Sequence, residues 1–228
     1  MKLTNRLLKI ASLVGENKKL ADIGTDHGYI PVYLLNKGVI NFAVLADVNK
    51  GPLENARSEV RRNKLEEKVD LRLGSGIEVL KKGEVDEVII AGMGGILIAD
   101  LLEANKEVAH TTEKLILQPM QAQEDLRKYL LQNGYEIIDE CLEKEDFRLY
   151  EIIVAKYTGR NTEVEDEIYY EVGQKLIENK DELLKEFIDN KIKKYNNIIE
   201  KLGDKEVNAV VAKRNLANTK IEKLKNLI

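Results

Sequence analysis

The chain has 228 residues with 36 basic and 40 acidic side chains, a formal net charge of -4 and 43% hydrophobic residues. This length suffices for one large domain, or for one domain with a small appendage, and it needs no disulfide or metal for stability. The single cysteine, Cys141, excludes an intrachain disulfide and fits a reducing cytoplasm. Because there are only two histidines beside it, a histidine–cysteine metal site is also disfavoured. No apolar run approaches the length of about 20 residues that a membrane span needs.

Short apolar runs that end in turn residues predict seven strands in the first 157 residues. The predicted strands are 19–23, 42–47, 69–73, 85–91, 114–117, 135–141 and 149–157, with helices at 3–14, 30–36, 52–63, 94–105 and 122–133. This alternation predicts βαβ units and a parallel sheet in an α/β, Rossmann-like domain. Residues 143–148 leave no room for a crossover helix, so the last two strands are expected to pair as an antiparallel hairpin.

From residue 160 onward the strand pattern stops and the apolar spacing is helical. A heptad seam runs from Ile188 to Leu202 and, after a turn at Gly203-Asp204, a similar spacing runs from Val207 to Ile228. This pattern predicts a C-terminal helical coiled-coil hairpin as a second domain (159–228) after a first domain (1–158).

The charges of this C-terminal part are unevenly distributed. Residues 161–190 carry 3 basic and 10 acidic side chains, whereas residues 191–228 carry 10 basic and 4 acidic side chains. Two interpretations stay open: two helices that attract each other, or a basic surface for nucleic acid.

Glycine-containing loops follow the first, third and fourth predicted strands. They read Asp22-Ile23-Gly24-Thr25-Asp26-His27-Gly28, then Gly74-Ser75-Gly76, and then Gly92-Met93-Gly94-Gly95. Glycine lets the backbone pass close to a ligand, and an open parallel sheet binds ligands at the carboxyl ends of its strands. The loops therefore predict a ligand site at that edge.

An acidic residue at the end of the second strand indicates which ligand fits. Asp47, followed by Val48, stands 25 residues beyond Asp22, where a carboxylate accepts both hydroxyls of a ribose. A dinucleotide is disfavoured, because the G-x-G-x-x-G spacing is absent and the Asp22 carboxylate would repel a pyrophosphate. A ligand with a ribose and a cationic or zwitterionic tail, such as S-adenosylmethionine, fits better.

Four segments carry a resemblance to a known family. They are ADIGTDHGYIP (21–31), ADVNKGPLENA (46–56), AGMGGILI (91–98) and LQPMQ (117–121). They resemble the TrmK family of bacterial tRNA (adenine-N1)-methyltransferases, which are class I S-adenosylmethionine-dependent enzymes that modify adenine 22 and carry a C-terminal coiled-coil domain. The resemblance covers essentially the whole chain and implies the seven-stranded methyltransferase sheet.

The resemblance also implies roles for the residues of the loops. The methionine end of the cofactor would lie against Asp22, Ile23, Gly24, Thr25 and Gly28. The ribose would lie at Asp47 and Val48, the adenine ring at Gly74, Ser75 and Gly76, and Gly92, Met93, Gly94 and Gly95 would border the cofactor and open space for the target base. The family often has an acidic residue where Ser75 stands, and the serine hydroxyl or a backbone group would have to replace it.

Candidate catalytic residues follow from the chemistry of the acceptor. N1 of adenine is a neutral nitrogen with a lone pair, so transfer needs in-line positioning and negative charge near the developing cation rather than a strong base. Asp26 is the first candidate for that charge, His27 for hydrogen bonding to the base, and Tyr29 for stacking on it. Each has a structural alternative, namely a helix N-cap, a structural imidazole and plain packing. N1 lies on the base-pairing edge, so the base must be exposed or flipped.

The helical tail is expected to bind tRNA phosphates. The candidates are Lys191, Lys193, Lys194, Lys201, Lys205, Lys213 and Arg214, together with Lys220, Lys223 and Lys225. We expect a cytoplasmic monomer without metal or membrane, because one helical hairpin buries its own seam. Two alternatives stay open: a methyltransferase of a small molecule or protein, and a non-catalytic RNA-binding scaffold on the same fold.

Overall fold

The computed structural model describes residues 3–203 and 207–228. Seven strands form one sheet, with the bounds β1 (Lys18–Ile23), β2 (Ile40–Asp47), β3 (Val69–Leu73), β4 (Glu87–Gly94), β5 (Lys114–Gln121), β6 (Tyr135–Glu145) and β7 (Arg148–Tyr157). Their order is β3-β2-β1-β4-β5-β7-β6, and β7 runs antiparallel to both neighbours. The chain order reverses between β1 and β4, which is where sheets of this kind bind ligands.

Helices cover both faces of this sheet. The helices are α1 (Asn5–Ser12), α2 (Tyr29–Lys37), α3 (Lys50–Arg62), α4 (Gly95–Ala104), α5 (Lys106–Ala109), α6 (Gln123–Gln132), α7 (Ile168–Glu171), α8 (Gln174–Glu178), α9 (Leu184–Leu202) and α10 (Asn208–Lys225). Helices α1, α2 and α3 contribute to one hydrophobic core, and α4 and α6 to the other. Successive residues of β1 face opposite cores, with Leu20 in the first and Ala21 in the second.

The predicted mixed sheet and its terminal hairpin are confirmed, with differences at the carboxyl ends of β4, β5 and β6. β4 continues to Gly94 instead of giving way to the expected loop of residues 92–95, and α4 begins directly at Gly95. β5 does not stop before Gln118-Pro119 but continues to Gln121, and its pairing with β4 shifts register around Met93. The pairing of β5 with β7 ends at Leu117, so the missing N–H of Pro119 lies beyond that ladder. The β6–β7 turn is shorter than the predicted linker, since only Asp146 and Phe147 separate the two strands.

The chain divides into two compact units, Met1–Glu163 and Val164–Ile228. Within the second unit, the helical pattern of residues 166–190 is interrupted twice rather than continuous. Gly173 is extended between α7 and α8, and Lys180 has a φ of 51° between α8 and α9. The apolar spacing alone did not reveal these breaks.

Helices α9 and α10 pack against each other as the predicted hairpin. The seam buries Ile188 of α9 and Ile221 and Leu224 of α10. Val207 and Ile228, which were expected to extend this seam, are instead 60% and 54% exposed. Both lie outside α10, because the helix spans only Asn208–Lys225. Asp204 of the predicted turn lies outside the described residues.

The part of the chain that the structure describes contains neither a membrane-spanning helix nor a metal-binding cluster. Within residues 3–203 and 207–228, no helix is long and apolar enough to cross a membrane. In the same ranges, no group of three or more His, Cys, Asp or Glu side chains is arranged to hold a metal ion.

Candidate active site

The loop after β1 is held in a shape that requires glycine. Gly24 and Gly28 have φ values of 76° and 65°, in the left-handed region that favours glycine. The Thr25 hydroxyl accepts a hydrogen bond from the Gly28 N–H (3.0 Å) and thereby closes the turn into α2. A Cβ at Gly24 would overlap the Met93 side chain, so the loop after β1 is in direct contact with the carboxyl end of β4.

Asp22 is a buried carboxylate at this edge. It is 8% exposed and is the last residue but one of β1. Burial raises the pKa of Asp22 to about 6, against the lowering effect of a hydrogen bond with Thr25. A carboxylate in such surroundings gains most from a positively charged ligand, which fits the cationic methionine end of S-adenosylmethionine.

Asp47 ends β2 beside this loop. Its Oδ1 accepts a hydrogen bond from the backbone N–H of Asn49 (2.7 Å), which fixes the carboxylate and leaves Oδ2 for a ligand. Gly24 and Thr25 both donate backbone hydrogen bonds to the carbonyl of Ala46, the residue before Asp47. The ribose-binding candidate and the methionine-binding loop are therefore tied together.

The loop after β3 contains an acidic group that the sequence interpretation missed. The Glu78 carboxylate accepts a hydrogen bond from the Ser75 N–H (2.8 Å) and lies on the exposed side of the loop. The pattern Ser75-x-x-Glu78 is that of a capping box, and this signal in the sequence would have found it. A carboxylate is thus present at the β3 loop although Ser75 itself is not acidic.

The ends of β4 and β5 pack tightly. A Cβ at Gly95 would overlap the carbonyl oxygen of Ala122, and a Cβ at Gly94 would lie 3.4 Å from the Gln121 amide nitrogen. A Cβ at Gly92 would meet no atom within 4 Å, so the space above this glycine is open. The carboxyl ends of β1 to β5 and the segments that follow them are called the carboxyl edge below, and Gly92 is its exposed glycine with open space around it.

Asp26, His27 and Tyr29, the three predicted catalytic residues, lie together in what we call the Asp26 cluster. His27 Nδ1 is 2.9 Å from Asp26 Oδ2, and the His27 and Tyr29 rings are stacked with centroids 4.8 Å apart. The Asp26 side chain is 70% exposed. Asp26 is not the N-cap of α2, because Gly28 occupies that position, so its structural alternative is excluded.

Arg6 of α1 also reaches the carboxyl edge, which the sequence did not reveal. Its Nη1 donates to Oε1 of the fully buried Gln118 (2.7 Å), and its guanidinium lies 5.2 Å from the Tyr150 ring centroid. Gln118 comes directly after the predicted strand 114–117, whereas the structure makes it a buried member of β5. The contact joins residues 112 positions apart, so no local pattern signals it.

The basic residues that were predicted to bind tRNA separate into two groups: a first group on α9 and α10, and a second group on α10 that is paired with acidic residues. Lys193, Lys194 and Lys201 on α9 and Lys213 on α10 are exposed. Lys191 lies 4.6 Å from the Phe187 ring centroid, and Arg214 is half-buried. Lys205 lies outside the described residues.

Lys220 and Lys223 belong to the second group, because they face acidic residues of their own unit. Burial disfavours the charge of Lys220, but its ion pair with the buried Glu171 outweighs this and raises the lysine pKa. The Tyr195 hydroxyl donates to the same Glu171 carboxylate (2.6 Å), and Lys223 pairs with Asp166 (2.7 Å). Both pairs join the acidic part of the unit (161–190) to its basic part (191–228), in agreement with the interpretation that the two parts attract each other.

The sheet order and the loops at the carboxyl edge define the class. The class I S-adenosylmethionine-dependent methyltransferases have an open sheet whose strand order reverses between β1 and β4, with an acidic residue at the end of β2, and this sheet has both features. Within that class, residues 20–226 match the TrmK family model, described as tRNA (adenine(22)-N(1))-methyltransferase. The chain belongs to this family and is a tRNA (adenine-N1)-methyltransferase.

Relatives of known structure and function agree with this family. A Bacillus subtilis tRNA (adenine(22)-N(1))-methyltransferase is 38% identical over 161 residues, which are 71% of this chain and 68% of the relative. The crystal structure of B. subtilis TrmK superposes with a TM-score of 0.89 at 32% identity and covers 100% of this chain and 99% of that one. Mycoplasma capricolum TrmK in complex with S-adenosyl-homocysteine has a TM-score of 0.85 at 27% identity, with 100% of both chains covered.

Proposed function

We propose that the chain methylates N1 of adenine 22 in tRNA, with the Asp26 cluster acting on the target base and the second unit binding the tRNA. The observation that supports this most strongly is that Asp26, His27 and Tyr29 form one contiguous group at the carboxyl edge. The group follows Gly24, which packs against Met93 at the carboxyl end of β4, next to the exposed Gly92.

The described residues fit S-adenosylmethionine. When bound, this cofactor supplies a methyl group that is electrophilic because it is attached to a sulfonium. Asp22 would hold the cationic methionine end, since its buried carboxylate gains a counter-charge there. Asp47 would accept the ribose hydroxyls through Oδ2, and Gly74, Ser75 and Gly76 would border the adenine ring, with the Glu78 carboxylate beside them.

Asp26 acts as a counter-charge in this account rather than as a base. The N1 lone pair of adenine needs no deprotonation, and methylation there leaves a cationic ring. The Asp26 carboxylate stabilises this positive charge as it develops. His27, oriented by Asp26 through Nδ1, keeps Nε2 for a hydrogen bond to the base, and Tyr29 supports the imidazole from one side.

The second unit supplies affinity for the tRNA backbone. Lys193, Lys194, Lys201 and Lys213 are exposed on two long helices. Lysines of this kind bind phosphates without regard to base sequence. Such a surface favours tRNA over a small molecule or a protein as the substrate. Lys191, Arg214 and Lys205 complete the proposed set.

We also propose that the enzyme works as a monomer. The α9–α10 seam buries Ile188, Ile221 and Leu224 within one chain, so it needs no second copy to cover these residues. Size-exclusion chromatography with multi-angle light scattering at micromolar concentration is expected to give the mass of one 25.9 kDa chain. A mass of two chains would contradict the proposal.

The proposed reaction is tested by the identity of the product. Unmodified bacterial tRNA is incubated with labelled S-adenosylmethionine and the enzyme, beside the same tRNA with adenine 22 replaced by guanine. Nucleosides are then identified by mass spectrometry. We expect 1-methyladenosine from the first tRNA and none from the second. Methylation of both tRNAs to the same extent, or of neither, would contradict the proposed substrate.

A further inference from the structure

Large apolar side chains that stay exposed in the first unit are concentrated at the carboxyl edge. Seven large hydrophobic side chains of its described residues are exposed, and six of them lie at strand ends or just after them: Val48, Leu73, Ile96, Leu97, Met120 and Phe147. Single exposed apolar residues are normal, but a concentration at one edge marks a binding surface.

Three of these residues come from adjacent segments, and we call them the apolar ledge: Ile96, Leu97 and Met120. They are 57%, 49% and 41% exposed. Ile96 and Leu97 lie in the first turn of α4, on its outer side, because the following Ile98 is fully buried.

Packing brings the parts of the ledge together. α4 begins against the end of β5, where Gly95 approaches the carbonyl oxygen of Ala122 closely enough to leave no room for a Cβ. Met120 is held on the same segment, with its sulfur 3.5 Å from the Gln118 amide nitrogen. The ledge therefore lies on rigid backbone rather than on a loose loop.

The surroundings indicate what covers the ledge. Gly92 precedes the ledge, is exposed, and has open space where a Cβ would stand. The polar groups of Asp26 and His27 belong to the β1 loop, which contacts the end of β4 through Gly24 and Met93. A surface that combines apolar side chains of α4 and β5 with a carboxylate and an imidazole of the neighbouring loop suits a planar ring whose faces are apolar and whose edge is polar.

We propose that the apolar ledge binds the face of the target adenine after it leaves the base stack, and so holds its N1 edge toward the Asp26 cluster. This inference rests on the proposed function and deepens it. Contacts to a base face are tolerant of sequence and replace the stacking that the base loses when it is extruded. The ledge thus contributes to binding of the base and not of the cofactor.

Val48 and Leu73 provide the contrast. They lie at the ends of β2 and β3, where the ribose and adenine of the cofactor are expected, and not at those of β4 and β5. Leu73 is 50% exposed and Leu97 is 49% exposed, so the two leucines are matched in residue type and burial. Leu73→Ala and Leu97→Ala therefore remove the same atoms from the two ends of the site.

The experiment compares wild type, Leu97→Ala, Met120→Ala and Leu73→Ala in the full chain. Calorimetry gives the Kd for S-adenosylmethionine, and steady-state kinetics give kcat/KM for tRNA. A third measurement uses tRNA with 2-aminopurine at position 22 in the presence of S-adenosyl-homocysteine, where fluorescence rises as the base leaves its stack. Melting temperatures of all variants should match, since every substituted side chain is at least 41% exposed.

We expect Leu97→Ala and Met120→Ala to lower kcat/KM for tRNA by about tenfold and to reduce the 2-aminopurine signal, with the cofactor Kd unchanged within about twofold. Leu73→Ala should instead weaken cofactor binding and leave the 2-aminopurine signal intact. Wild-type kcat/KM in both ledge variants would overturn the ledge while the proposed function stands. A wild-type enzyme that forms no 1-methyladenosine would overturn the proposed function and the ledge with it.

Discussion

The carboxyl edge of the first unit and the α9–α10 hairpin of the second unit hold their functional side chains in opposite ways. At the edge, Asp22 and Gln118 are buried and the segments touch through contacts such as Gly24 with Met93. On the hairpin, Lys194 and Lys201 extend into solvent from a regular helix. The edge therefore depends on close backbone contacts, whereas the tRNA binding proposed for the hairpin depends on the number of its charges.

The same contrast appears in the ion pairs of the two units. Arg127 of α6 is 1% exposed and pairs with Glu140 (2.6 Å) and Glu151 (2.7 Å) inside the first unit. In the second unit, the Lys220 side chain that pairs with Glu171 is 31% exposed. Solvent therefore compensates the charge of Lys220 far better than that of the buried Arg127.

The largest expected effect comes from breaking the buried pair. Arg127→Met leaves two carboxylates buried without their cation, which costs about 3–5 kcal/mol of unfolding free energy. Urea unfolding followed by circular dichroism measures this loss. The comparison variant Lys220→Met should cost clearly less, because Glu171 keeps the hydrogen bond from Tyr195. Equal losses in the two variants would remove the contrast between the units.

The next effect tests the backbone contacts at the carboxyl edge. In Gly95→Ala the new Cβ meets the Ala122 carbonyl oxygen, which is backbone and does not rotate away. We expect a cost of about 1–3 kcal/mol and a fall in methyl transfer of at least about tenfold. Gly51→Ala is the matched control, since a Cβ there meets no atom within 4 Å and lies within α3. A Gly95→Ala enzyme as active and stable as Gly51→Ala would contradict the close packing.

A third prediction concerns pH and Asp22. Burial raises the pKa of the Asp22 carboxyl in the folded protein to about 6 from the ordinary 3.8, so the folded state favours the protonated form. The cofactor-free protein therefore loses stability as the pH rises through about 6 and this carboxyl has to ionise while buried. Binding of a cation requires the ionised carboxylate and should tighten over the same range. Calorimetry from about pH 5 to about pH 7.5 is expected to show a falling Kd for S-adenosylmethionine. Asp22→Asn should bind more weakly and lose this dependence, and an equally steep profile in Asp22→Asn would assign it to another group.

The smallest effects are expected on the hairpin. Lys194→Ala and Lys201→Ala should each weaken tRNA binding only a few-fold and lower the salt slope of log Kd by about 0.9 for each phosphate that the variant no longer neutralises. Filter binding at several salt concentrations measures both quantities. Lys223→Ala is the control, because Lys223 already pairs with Asp166. A salt slope lowered as much by Lys223→Ala as by Lys194→Ala would show that pairing does not distinguish the lysines.

Local sequence patterns predicted most of the fold. Short segments of apolar or alternating apolar and polar residues predicted every strand. The short linker between β6 and β7 predicted that these two strands are antiparallel. The breaks at Gly173 and Lys180 were missed, because amphipathic spacing continues across short helices whose ends depend on tertiary contacts.

The candidate site was predictable where its residues are near in sequence. The loop of residues 22–28 and the first residue of α2 bring Asp26, His27 and Tyr29 into one group because they are neighbours in the chain. Arg6 with Gln118 was not predictable, since the partners are separated by 112 positions. The pairing of Lys220 with Glu171, 49 positions apart, agrees with the interpretation that the acidic and basic parts of the second unit attract each other, but the sequence did not reveal which residues pair.

The most direct test of the central claim is a single-turnover measurement on Asp26→Asn. Enzyme saturated with S-adenosylmethionine is mixed with unmodified tRNA, and the rate of 1-methyladenosine formation is compared with that of wild type. The account predicts a rate lowered by about 100-fold or more with the affinities for cofactor and tRNA unchanged, because only the charge near the developing cation is removed. A wild-type rate in Asp26→Asn would contradict the account.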